Sequence, residues 1–77
     1  MAVAMPKYPD VHVDFRGTNP LVLISLVRWA LRRAGVREAE IEAFSETALH
    51  SPDPDTVEHV CEDWVDLDHV SPRRLDA

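Results

Sequence analysis

Seventy-seven residues leave room for one hydrophobic core and not for two. A chain that is 45% hydrophobic and 29% charged has the balance of a folding protein rather than a disordered one. Eight Lys and Arg against fourteen Asp and Glu give a net charge of −6, which argues against direct coating of nucleic acid or of an anionic membrane.

The opening stretch, Met1 to Pro9, contains Pro6 and Pro9 and shows no periodicity, so it is expected to be a mobile lead-in. It lacks the basic start and long apolar run of a secretory signal. No later apolar run is long enough to span a bilayer. The expected location is therefore the cytoplasm. From Val11 the pattern alternates: Val11, Val13 and Phe15 fall on one face, and His12, Asp14 and Arg16 on the other. That is the signature of a half-buried strand, closed by Gly17.

Asn19, or Thr18, is placed to cap a helix that opens on Pro20, where a missing N–H costs nothing. This helix is expected to run to about Ala34, with Gly35 as its left-handed stop and Val36 closing a Schellman-type contact. Leu23, Val27, Ala30, Leu31 and Ala34 share one face. Val22, Leu26 and Trp29 form a second apolar flank, and Ser25, Arg28 and Arg32 form a polar stripe. A helix apolar on most of its circumference is expected to be central in its domain.

A second helix is expected over roughly Glu38 to Leu49, with Ile41, Phe44, Ala48 and Leu49 inward and Glu38, Glu40, Glu42 and Glu46 mostly outward. Its preceding residue, Arg37, is a poor cap. A proline-rich hinge follows. Asp53 then caps a third helix that opens on Pro54, with Val57, Val60, Cys61 and Trp64 on its apolar stripe. Trp64 to Asp68 alternates, so a short closing strand is possible, able to pair with Val11–Phe15. Ser71 to Ala77, with Arg73 and Arg74, is expected to fray. The order is β-α-α-α with a possible C-terminal strand. It defines a small α+β domain over residues 1–77, with an ordered core over about 8–68 and mobile termini at 1–7 and 69–77. The expected core is Val11, Val13, Phe15, Leu23, Val27, Ala30, Leu31, Ile41, Phe44, Val57, Val60, Cys61 and Trp64.

Charge is segregated along the chain. Residues 1–37 hold six basic and two acidic residues, whereas residues 38–68 hold eleven acidic residues and neither Lys nor Arg. The simplest expectation is that the two halves partly neutralise each other. A sharper one is an acidic helical face that occupies a cationic groove built for nucleic acid.

Nothing in the sequence has the spacing of a catalytic site. There is no GxSxG and no glycine-rich phosphate loop. A single cysteine excludes an internal disulfide and a cysteine-based zinc site, and Cys61 lies on an apolar stripe where cysteine behaves as a small hydrophobe. His59 and Asp63, four apart on the third helix, supply two ligands, which is not a metal site. No catalytic residue, cofactor or metal is expected.

The run Tyr8-Pro-x-Val-x-Val-x-Phe-x-Gly17, the helix ending Ala30-Leu-Arg-Arg-Ala-Gly-Val36, then Glu40-Ile41 with Phe44, and Cys61-x-x-Trp64-Val65 together resemble a set of short uncharacterised bacterial proteins of phage, plasmid and other accessory gene neighbourhoods. The resemblance spans about residues 7–66. It implies a cytoplasmic accessory protein and assigns no activity, cofactor or site residue. Arg37 departs from the capping residue expected at that point of the pattern, as do the proline-rich hinge and the basic tail.

The expected function is that of a non-enzymatic protein-interaction module, self-associating or bound to a protein partner. No direct nucleic acid, membrane or small-molecule substrate is expected. Partner binding is expected at Trp29 with Arg28 and Arg32, at Glu38, Glu42 and Glu46 on the acidic side, or at an open strand edge. The alternative is an acidic inhibitor or regulator of a nucleic-acid-binding enzyme.

Overall fold

A computed structural model describes residues 5–17 and 19–69. The element order is β1 (Tyr8–Phe15), α1 (Pro20–Arg33), α2 (Glu38–Leu49), α3 (Pro54–Trp64) and β2 (Val65–His69). This is the expected α+β architecture with the closing strand present. The expectations for Thr18 as a cap, for the chain start before Met5 and for the basic tail around Arg73 and Arg74 fall outside the described residues.

The two strands lie side by side and parallel, so the three helices together form the crossover between them. His12 to Phe15 run in register with Asp66 to His69, whereas Tyr8 lies opposite Val65. Pro9, Asp10 and Val11 thus bulge out of the ladder between two paired positions. A proline has no N–H to give a ladder, and a bulge is where a strand tolerates one. The stretch read as a lead-in up to Pro9 thus overlaps the start of the strand. The Lys7 N–H donates to the Asp63 carbonyl at 2.8 Å, and the strand begins at Tyr8 rather than Val11.

The caps decide the helix starts. The Asn19 side chain accepts the Leu21 N–H at 2.9 Å, and Asp53 accepts both the N–H and the hydroxyl of Thr56 at 2.8 Å. These donors hold the Asp53 carboxyl below the usual aspartate range. Arg37 caps α2 with no side-chain bond. At the end of α1 the Val36 N–H reaches the Leu31 carbonyl and the Gly35 N–H reaches that of Arg32, with Gly35 at φ 85°. This is the Schellman closure, and the left-handed position explains the glycine. Asn19→Ala is expected to lower stability by about 1 kcal/mol and the melting temperature by roughly 4–8 °C in a domain of this size, as read by thermal unfolding.

The core joins Val11, Val13 and Phe15 of β1 to Leu23, Ile24, Val27 and Leu31 of α1, to Ile41, Phe44 and Ala48 of α2, and to Val57, Cys61 and Val65. Ala30, Val60 and Trp64 pack against it half-buried. Several expectations change. Ile24 and Val65, absent from the expected core, are buried, and Ala34 on the expected inner face is exposed. Ser45 takes the inward position on α2 that Leu49 was expected to hold. Residues 41, 44, 45 and 48 complete the i, i+3, i+4, i+7 stripe, and Leu49 lies a further 100° round, 57% exposed. Finally, α1 is not enclosed. Val22, Leu26 and Trp29 stand exposed on its outer side because its helical neighbours α2 and α3 occupy only one flank.

Candidate interaction surface

The residues expected to bind a partner divide into two places. On the outer flank of α1, Val22, Leu26 and Trp29 follow one another at i, i+4 and i+7, so a single stripe of apolar side chains faces solvent. Trp29 is 57% exposed. The Arg33 guanidinium, four residues on, lies 4.8 Å from the ring centroid and so holds the indole face by cation–π attraction. Tyr8 is stacked on the other tryptophan, Trp64, at 6.0 Å between centroids.

Arg28 and Arg32 point elsewhere. Arg32 donates to Glu38 at 2.8 Å, and this pairing holds the Glu38 carboxyl below its ordinary range, with Arg28 adding a weaker pull. Arg28 is half-buried, and its Nε is enclosed without a hydrogen-bond partner among the described residues. The expected Trp29–Arg28–Arg32 grouping is thus replaced by Trp29 with Arg33, while Arg28 and Arg32 sit against α2. Glu42 and Glu46 are exposed on α2. The acidic set therefore includes a member, Glu38, already engaged by the basic half of the same chain.

A second such pairing pins the chain start. Lys7 Nζ lies 2.6 Å from Glu40 and 4.6 Å from the Trp64 ring centroid, and the Tyr8 hydroxyl donates to the same Glu40 at 3.3 Å. Lys7 holds the Glu40 carboxyl low and is itself raised by it. Trp64 packs edge-on against Phe44 at 5.7 Å, which joins this corner to the core. Exposed ion pairs add little stability alone; here the aromatic stack supplies the packing and the ions fix its orientation.

Beside the α1 stripe runs a trough. One depression of about 630 Å³ is bounded by Lys7, Tyr8, Val36, Arg37 and Glu40. A second, of about 320 Å³, is bounded by His12, Trp29 and Arg33. Both are lined by Asp10, Val11 and Ala34, so the two depressions flank the bulged part of β1 where it faces α1. The sheet has two strands among the described residues, so β1 has one edge that β2 does not occupy.

The outer face of the sheet holds side chains that sequence reasoning did not single out. His12 lies 3.0 Å from Asp66 through Nδ1 and 2.8 Å from Asp14 through Nε2. The available signal was the alternation His-x-Asp in one strand and Asp-x-Asp in the other. Only the parallel register brings the two together. His59 and Asp63 belong to no metal-capable group among the described residues; His59 Nδ1 donates to the Asp55 carbonyl at 2.7 Å.

No helix among the described residues is long and apolar enough to cross a membrane. Comparison with protein-family models, with curated proteins and with solved structures finds no match.

Proposed function

We propose that this chain is a cytoplasmic, non-enzymatic interaction module that self-associates through the outer flank of α1 and the open edge of β1. The exposed Val22–Leu26–Trp29 stripe carries the reading. In an antiparallel contact about a two-fold axis, each copy covers the stripe of the other, and Leu26 near its middle meets its own counterpart. Arg33 holds Trp29 in place, so less side-chain freedom is lost on association. The edge of β1 that β2 does not occupy lies beside the stripe and can extend the same two-fold contact by strand pairing. A core of this size supplies only about 3–5 kcal/mol of net stability, so a second copy covering the stripe has an evident benefit.

Sedimentation equilibrium at low and high salt tests this. Two copies of a chain carrying −6 repel, so a contact held by apolar burial tightens as salt screens that repulsion. The expected result is a dimer strengthened by salt. Leu26→Lys is expected to give a folded monomer. Trp29→Ala is expected to weaken the dimer by tenfold or more while leaving the helical circular-dichroism signal intact. Leu49→Lys, exposed but off the stripe, is expected to stay dimeric. A monomer at every concentration and salt overturns the proposal, as does a dimer indifferent to Leu26→Lys. Association that weakens steeply with salt points to the acidic helices instead.

A further inference from the structure

The two strands assemble, from opposite ends of the described chain, a group of metal-ligating side chains on a solvent-facing surface. Val11, Val13 and Phe15 point into the core, so His12 and Asp14 point out. Val65 is buried and Leu67 half-buried, so Asp66 and Asp68 also point out. The register then sets His12 opposite Asp66 and Asp14 opposite Asp68. His12, Asp14 and Asp68 each offer one ligand atom, and those atoms lie within 4.8 Å of one another.

Two features separate this group from a solvated patch of acid. One is the nitrogen ligand at its centre. Asp66 lies against Nδ1 of that imidazole at 3.0 Å, which leaves Nε2 directed at Asp14 at 2.8 Å. A carboxylate behind one ring nitrogen, with the other facing a second carboxylate, is the arrangement that orients a metal-bound histidine. The other is the placement of Asp14 directly across from Asp68. Like charges directly opposite in a sheet are destabilising, and a two-stranded sheet has little stability to lose. A cation between them converts that repulsion into attraction.

We propose that His12 Nε2, Asp14 and Asp68 bind a divalent first-row metal ion of the zinc type, with Asp66 as the positioning residue behind the imidazole. One nitrogen and two carboxylate oxygens suit zinc better than calcium or magnesium, which prefer oxygen alone. Metal–ligand bonds of about 2.0–2.2 Å bring the ligand atoms closer than they now stand. The three side chains are exposed, so rotation about their own bonds closes the gap without moving the strands.

The ion has to compete with a proton. In the metal-free protein Asp66, and next Asp14, hold His12 protonated to a higher pH than an ordinary histidine. The groups around the ring are Asp14 on β1, Asp66 and Asp68 on β2 and, across the shallow depression at the edge of β1, Asp10 and the Arg33 guanidinium of α1.

Titration of the full, untagged chain with Zn²⁺ alone in a calorimeter, and with Co²⁺ followed by visible absorption, tests the site. The expected result is one ion per chain with proton uptake by the buffer. His12→Ala and Asp68→Asn are expected to abolish it. Asp66→Asn is expected to weaken it about 10- to 100-fold. His59→Ala is expected to leave it unchanged. Circular dichroism of each variant separates loss of the site from loss of the fold, and the conservative Asp68→Asn and Asp66→Asn changes keep the test open if His12→Ala perturbs the sheet. No binding at millimolar metal, or binding that survives His12→Ala with the fold intact, overturns the proposal. It does not depend on the oligomeric state, so a monomeric chain that binds the ion separates the two readings.

Discussion

Phe44→Ala is expected to unfold most of the protein at room temperature. Phe44 is fully buried at the centre of α2, and its ring meets the edge of Trp64. Removing it takes away the transfer energy of the ring and leaves a cavity in a core whose Leu31, Ile41 and Val27 are also fully enclosed. Changes of this kind cost about 3–5 kcal/mol. A single core of this size has only about that much net stability. The loss also loosens Trp64, and with it the Tyr8 stack and the Lys7–Glu40 pair that hold the start of β1. Loss of most of the helical circular-dichroism signal in Phe44→Ala is the expected reading. By contrast Leu26→Ala, at a position 37% exposed, is expected to change the stability of the isolated chain by no more than about 0.5 kcal/mol. A Phe44→Ala chain that melts within a few degrees of the parent contradicts this account of the core.

The Cys61 thiol is expected to be almost inert in the folded protein. It has no solvent exposure, and burial, with smaller contributions from Glu58 and Glu62, pushes its pKa up to about 12 from an ordinary 9.0. Below pH 9 the reactive thiolate is then about a thousandfold scarcer than for an ordinary cysteine, since each pKa unit is a factor of ten. Labelling with a thiol reagent is expected to slow at least to that degree, and to become rapid and stoichiometric in denaturant. Prompt labelling of the native protein would place Cys61 outside the core and return it to consideration as a nucleophile. Because labelling of a buried thiol requires opening of the structure, the same experiment on Phe44→Ala gives an independent measure of its unfolding.

The sequence specified local structure well because local rules governed it. Asn19-Pro20 and Asp53-Pro54 start their helices, Gly35 ends α1, and the parity of Val11, Val13 and Phe15 puts the right face inward. Burial on α1 was harder to foresee. The helix has two apolar flanks, and periodicity does not say which flank neighbouring helices reach. The charged groups show the same division. Segregation of charge along the chain suggested that the halves meet, and Arg32–Glu38 and Lys7–Glu40 do so. That Trp29 would take Arg33 rather than Arg28 or Arg32 depends on where α2 lies. The grouping of His12 with Asp66 and Asp68 was the least legible feature. It is created by strand direction and register, which neither alternation nor spacing encodes.

Pairing β1 with β2 also constrains the order in which the molecule is made. His12 and Asp66 are separated by 54 positions in the chain, yet they are neighbours across the ladder. Closing so long a loop costs entropy before any strand pairing compensates for it, and contacts this distant in sequence form slowly. The α1–α2 contact, between elements that are neighbours in sequence, can therefore form before the sheet does. Until β2 pairs with it, the edge of β1 that β2 takes is unpaired, and forms with such an edge are the ones that most easily join another chain.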